Sequence, residues 1–148
     1  CDVLNNENFK ITAVKTIEEK IAEVDIISCA TLSKTPLVLG KYLKTGQHID
    51  LVGSYKTDMR EADDETISKA SVYVDTFQGA LKESGDIVIP LQNKTLKQED
   101  IKADLFQLCS SEKTGRSNKE EITVFKSVGH ALEDLAAANY YYTKCLNE

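Results

Sequence analysis

Asp25-Ile26-Ile27-Ser28-Cys29-Ala30-Thr31 is the stretch whose reading decides the fold. Two β-branched residues sit side by side at its centre with no polar alternation. That is the pattern of a strand covered on both faces, as in a parallel sheet packed between helices. The run is too short for a helix, and its branching favours a strand. Just upstream, Thr16 is placed to open a helix, with Glu19 at capping-box spacing. Ile17, Ile21 and Val24 then share one helical face.

The same alternation continues in both directions. Phe9–Val14 reads as an earlier strand. His48-Ile49-Asp50-Leu51-Val52 is a later one that ends at Gly53-Ser54. Leu32 to Thr35 reads as a loop, since Pro36 turns Thr35 away from helix. Tyr55 to Glu61 is polar and also reads as a loop. Asp63 or Asp64 caps a helix carrying Ile67 and Ala70. Ser71-Val72-Tyr73-Val74-Asp75 is another strand, and Phe77 to Glu83 a short helix. Ile87-Val88-Ile89 is ambiguous between strand and loop, ended by Pro90. Gln98 to Ser110 reads as one helix, with Ile101, Leu105 and Leu108 on one face. Ser111 to Lys119 reads as an exposed loop and Glu121 to Phe125 as a strand. A final helix runs from His130 to about Cys145. Its Tyr140-Tyr141-Tyr142 run points three ways. Either one or two rings face a core, or the three form a packing surface. Strands alternating with helices specify an α/β parallel sheet with flanking helices.

Bulk properties remove several function classes. With 148 residues the chain has the size of one domain, enough for one sizeable core. Its net charge of −6 argues against a nucleic-acid partner, which requires a basic stripe. No apolar run is long enough to span a bilayer, and the start, Cys1 to Asn6, does not read as a signal peptide. The expected compartment is the cytoplasm. Cys1, Cys29, Cys109 and Cys145 form no CxxC pair and read as buried or half-buried thiols. The acidic run Glu61-Ala62-Asp63-Asp64-Glu65 reads as a helix N-terminus and not as a metal site. His130 has Glu133 and Asp134 within one turn, a local pairing at a helix start.

In an open parallel sheet, ligands bind beyond the carboxyl ends of the strands. Three such ends are small or polar: Ala30-Thr31-Leu32-Ser33, Gly53-Ser54 and Ser127-Val128-Gly129. Small residues let a flat ligand approach the backbone, and hydroxyls can bond a ribose or carboxamide. A glycine before a helix leaves N–H groups that can face an anion or carbonyl. Against this, no GxGxxG, GxxxxGK[ST] or GxSxG occurs. No catalytic group is assigned.

These segments resemble one family. Asp25 to Thr31 with Pro36 and Gly40 is similar to the "ADIVxxAT…P…G" segment of the ornithine cyclodeaminase/mu-crystallin family. His48 to Ser54 with Met59-Arg60-Glu61 resembles its "H(I/V)xxVG(S/A)…(R/K)xE(L/V)D". Glu121 to Asp134 resembles "(E)ITxF(K/D)SxGxAxED", and Gly85-Asp86 and Gly115-Arg116 recur in order. The resemblance runs from about residue 9 to the C-terminus.

It implies a two-domain subunit longer than this chain, usually a homodimer, with a Rossmann domain for NAD or NADP. It implies activities such as ornithine cyclodeamination, alanine oxidative deamination or reduction of cyclic imines and ketimines, on a small amino acid or imine. Cofactor contact would fall on Thr31, Ser33, Val52, Gly53, Ser127, Val128 and Gly129. Residues 1–129 would be a partial dinucleotide-binding domain. Residues 130–148 would be a helix leading back toward a dimerisation and substrate domain. Two departures stand out. Where family cyclodeaminases read "VG(G/A)D", this chain reads Val52-Gly53-Ser54-Tyr55. Together with Phe125-Lys126-Ser127, that favours the mu-crystallin-like side and imine reduction. The Rossmann first strand and glycine-rich loop are also absent, so the sheet is expected to be incomplete, with Phe9–Val14 lacking its usual neighbour. The chain alone is then expected to be inactive. It would be either a piece of such an enzyme, a non-catalytic binder, or a partner for a missing first half.

Overall fold

A computed structural model describes residues 9–146 of the chain. The readings made on Cys1 and on the N-terminal stretch lie outside those residues. Five strands form one parallel sheet: β1 Ile26–Cys29, β2 His48–Leu51, β3 Ser71–Val74, β4 Ala103–Asp104 and β5 Thr123–Lys126. Their spatial order is β1-β2-β5-β3-β4. Between them lie α1 Asp64–Lys69, α2 Phe77–Glu83, α3 Gly85–Gln92 and α4 Leu105–Cys109, and α5 Ala131–Leu146 closes the chain. This is a Rossmann-like α/β sheet.

Register sorts the strand residues onto two faces. Ile27, Ile49, Val124 and Val72 are aligned neighbours, as are Cys29, Leu51, Lys126 and Val74. All eight are buried. Ile67 of α1, Ala80 of α2 and Ile87 of α3 join the hydrophobic members of this row in one cluster. Alternate residues make the other face: Ile26, His48, Thr123 and Ser71, then Ser28, Asp50, Phe125 and Tyr73. Ile26 is 66% exposed there. A hollow of about 500 Å³ lies over this face, lined by Ile26, His48, Phe125, Leu105, Leu108 and Arg116 among others. The two-sided cover expected for β1 is therefore present on one side only, and its burial alternates.

Local chemistry explains the helix starts. The Asp63 carboxylate accepts the Thr66 N–H and so caps α1, and Thr76 Oγ1 accepts the Gly79 N–H at the start of α2. Asp104 and Gln107 form a capping box on α4.

Four sequence expectations change. Phe9–Val14 is not a strand; its β-branched residues express a preference that only pairing with a neighbour realises. The helix expected from Thr16 is two short 3-10 turns, Ile17–Glu19 and Ile21–Glu23. Ile87–Ile89 is helical, inside α3, because Ile87 and Pro90 are buried under the sheet. Gln98–Ser110 is not one helix. It is a 3-10 turn at Gln98–Asp100, then β4, then α4. Here the open edge of β3 captures Ala103 and Asp104 as ladder partners.

The last helix is the outlier. Among its described residues none is buried. Tyr140, Tyr141 and Tyr142 are each more than 60% exposed, so none of the three rings faces a core. No helix among the described residues is long and apolar enough to cross a membrane.

Candidate functional site at the carboxyl edge of the sheet

Because every pairing is parallel, all strands end on the same edge. The strand order sets Thr31, Gly53, Ser127 and Asp75 along that edge in succession. The ladder continues one step past the strands. Val52 N–H donates to Cys29 O at 2.8 Å, Ser127 N–H to Leu51 O at 3.0 Å, and Asp75 N–H to Lys126 O at 3.1 Å. Thr31, Val52, Gly53 and Ser127 are thus brought together. Ser33 lies one turn further along the β1 loop, where its hydroxyl donates to Thr35 O at 2.6 Å.

Two buried carboxylates organise this edge. The first is Glu61. One of its oxygens accepts the Thr31 N–H at 2.6 Å and the Thr31 hydroxyl at 2.8 Å. The other accepts the Gly53 N–H at 2.9 Å. The second is Asp75. One oxygen accepts the Ser127 hydroxyl at 3.1 Å and the N–H groups of Val128 and Gly129 at 2.7 and 2.8 Å. This corrects the expectation for the loop before α5: the Val128 and Gly129 N–H groups point to an internal carboxylate rather than toward a ligand. Gly129 is required for a different reason. It adopts φ +89, a left-handed conformation that favours glycine.

Gly53 is required for space. A Cβ there would lie 2.1 Å from Thr31 O and 2.2 Å from Glu61 Oε1. The glycine is what admits the carboxylate between the two strand ends. Ser54 turns inward, its hydroxyl donating to Met59 O at 2.6 Å. Tyr55 is outward and 43% exposed, close to Val52 at 44%.

Beneath the edge, Lys126 and Asp86 are both fully buried, with Lys126 Nζ 3.9 Å from Asp86 Oδ2. Lys126 also donates to Leu51 O at 3.0 Å. Burial lowers the Lys126 amine from its ordinary value and raises the Asp86 carboxyl, each partly opposed by the other's charge. Burial, then the charge of Glu61, pushes the Cys29 thiol up to about 11, so it is protonated and inert at neutral pH. Cys109 and Cys145 are exposed rather than buried or half-buried. In place of the expected local pairing with Glu133 and Asp134, His130 Nδ1 accepts the Leu132 N–H at 3.3 Å at the start of α5.

The edge therefore offers exposed apolar surface at Val52 and Leu32, small backbone at Gly53, and two hydroxyls whose protons are committed. Thr31 and Ser127 each donate inward, and each oxygen retains an accepting lone pair for an N–H or O–H. A flat ring with a carboxamide or ribose fits those groups. Sequence reasoning missed Asp75, Asp86 and the burial of Lys126. The signal for Lys126 was present: strand alternation puts it on the same face as Val124.

The chain is similar to known proteins in sequence and in fold. The model of the ornithine cyclodeaminase/mu-crystallin family matches residues 1–148. A Delta(1)-pyrroline-2-carboxylate reductase of Bacillus cereus is 43% identical over 129 residues, which cover 86% of this chain and 39% of that protein. The structure of the Thermococcus litoralis Delta(1)-pyrroline-2-carboxylate reductase, in complex with NADH and L-proline, superposes with a TM-score of 0.85 at 40% identity. It covers 90% of this chain and 42% of that one. An archaeal alanine dehydrogenase dimer with bound NAD gives a TM-score of 0.81 at 30% identity, over 91% of this chain and 42% of that one. The chain thus spans about two fifths of the length of the relatives it matches.

Proposed function

This chain belongs to the ornithine cyclodeaminase/mu-crystallin family, and from that premise we propose that it forms the nicotinamide-side half of an NAD(P) site in a reductase of cyclic imino acids. The observation that carries the reading is the continuous carboxyl edge, where Thr31, Val52-Gly53 and Ser127 stand in register beside exposed Val52 and Leu32. The relatives that are Delta(1)-pyrroline-2-carboxylate reductases support the substrate class.

A dinucleotide held at this edge would supply the hydride for reduction of an imine carbon, with the proton for the imine nitrogen drawn from solvent or from the remainder of the full-length protein. The residues here bind and orient. Val52 and Leu32 offer a ring its apolar face, and Thr31 and Ser127 accept from its polar substituents. Ser33 and the Val128–Gly129 loop border the same edge. Tyr55 stands where cyclodeaminases of the family carry an aspartate, so the edge lacks that carboxylate and the reduction of an imine suits it better than cyclodeamination. Residues 130–148 lead from this edge toward a dimerisation and substrate domain, and the isolated chain turns nothing over.

The test is an assay of the full-length protein for NADH- and NADPH-dependent reduction of Delta(1)-pyrroline-2-carboxylate. Oxidation of either dinucleotide that depends on the imine is expected; its absence with both sinks the reading. Calorimetric titration of the 148-residue chain should show weak or no dinucleotide binding, and micromolar affinity would overturn that part.

The open sheet face and the bare α5 favour a second reading, a chain that acts by pairing with a separate polypeptide. Sedimentation decides it: a soluble monomer at high concentration counts against it.

A further inference from the structure

Glu61 is a fully buried charged side chain, and its carboxylate faces the two strand ends that border the proposed site. The Thr31 and Gly53 N–H groups lie just beyond the Val52–Cys29 ladder bond, where the sheet has no further carbonyl to offer them. A buried N–H without a partner is costly. Glu61 meets both, and adds the Thr31 hydroxyl, with its two oxygens divided between β1 and β2.

Residue 61 is itself held on every side. Its N–H donates to Asp86 Oδ1 at 2.8 Å. Its carbonyl accepts the N–H groups of Leu37 and Val38, each at 2.8 Å. The neighbouring Arg60 N–H donates to Ser33 O at 2.8 Å. Asp86 faces Lys126, whose amine returns to the carbonyl of Leu51, the last residue of β2. A buried unit of Glu61, Asp86 and Lys126 therefore supports the strand ends from below.

We infer that Glu61 is a positioning residue for dinucleotide binding: by clamping Thr31 and Gly53 with one carboxylate, it sets the spacing of the β1 and β2 ends on which the ligand rests. A carboxylate suits this role where an amide does not. Three donors converge on it, and the NH2 of a glutamine would meet a backbone N–H with another donor. Gly53 is the complementary half of the clamp, since any side chain there would occupy the carboxylate's place.

This inference rests on the proposed dinucleotide reading. The test is Glu61→Gln in the full-length protein. Amide hydrogen exchange at Thr31 and Gly53 should accelerate while the rest of the sheet stays protected. The KM and Kd for NADH or NADPH should rise on the order of tenfold, with the KM for the imine unchanged. Thr31→Val, which removes the hydroxyl leg of the clamp together with the acceptor that hydroxyl offers the ligand, should also raise both dinucleotide constants, and Thr31→Ser should restore wild-type values. Wild-type affinity and exchange in Glu61→Gln overturn the inference. So does a loss of protection spread evenly over the sheet, with both KM values raised together, because that marks a merely structural role. If Glu61→Gln does not fold, an unchanged dinucleotide KM in Thr31→Val overturns it. Failure of the wild type itself to bind either dinucleotide overturns the functional reading instead.

Discussion

Ile26 and Ile27 are adjacent, identical and apolar, yet one is 66% exposed and the other buried. They stand for the two faces of the sheet. On the face of Ile27 the strands pack against α1, α2 and α3 around Ile49, Val124 and Val72. On the face of Ile26 the aligned residues are His48, Thr123 and Ser71, and the hollow above them is bordered by α4 and the Arg116 loop. The strands are composed for cover on both sides; among the described residues the elements supply it throughout one face, and on the other, of the residues of β1, β2, β3 and β5, only Thr123 and Tyr73 are buried. One face thus carries the stability of the chain, and the other is free to respond to its surroundings.

The sharpest way to break that contrast is to disturb the charged pair beneath the covered face. Lys126→Met leaves the Asp86 carboxylate buried without its cation. We expect a loss of about 3–5 kcal/mol by denaturant unfolding, partly recovered by adding Asp86→Asn. A loss below about 1 kcal/mol would show that the pair anchors nothing. Next in size, Ile49→Ala removes a fully buried side chain from the same face and should cost about 2–5 kcal/mol.

The open face should show itself through pH. Burial, followed by a smaller contribution from Arg116, lowers the His48 imidazole below its ordinary value, against the opposing charge of Asp50. The folded state then binds the proton more weakly than the unfolded state. Stability from this group is fully present above the unfolded value of 6.5 and is lost as pH falls through the lower folded value. His48→Asn should flatten that part of the stability profile. An identical slope in the variant would assign it elsewhere. Least of all, Ile26→Ala should stay within about 0.5 kcal/mol of wild type. A cost comparable to that of Ile49→Ala would mean that the two faces are not different in the way described.

Much of this architecture was legible in the residues. β1, β2, β3 and β5 follow from β-branched runs, and the α1 cap, read as Asp63 or Asp64, is Asp63, while the strand-end glycines mark real boundaries. What failed depends on neighbours that periodicity does not contain. Phe9–Val14 has strand composition without a strand. Ile101, Leu105 and Leu108 keep helical spacing across a stretch that β3 draws into the sheet. At the candidate site, the strand ends at Thr31, Gly53 and Ser127 were readable from their small and polar residues. The carboxylates that hold them were not: Glu61 lies in a polar loop and Asp75 at the end of an apolar run, and only the folded chain brings either one beneath its partners.

Asp75 has a mechanical consequence. Its carboxylate grips Ser127, Val128 and Gly129, and the sixteen residues of α5 follow with none of them buried. At 1.5 Å per residue that helix is a lever of about 24 Å pivoting on one glycine. A rotation of roughly 10° at Gly129 carries its far end through about 4 Å and the tyrosines partway along it through about 3 Å. The direction in which α5 points is therefore set at its root, by the Asp75 carboxylate together with the edge-to-face contact of His130 with Phe106 of α4.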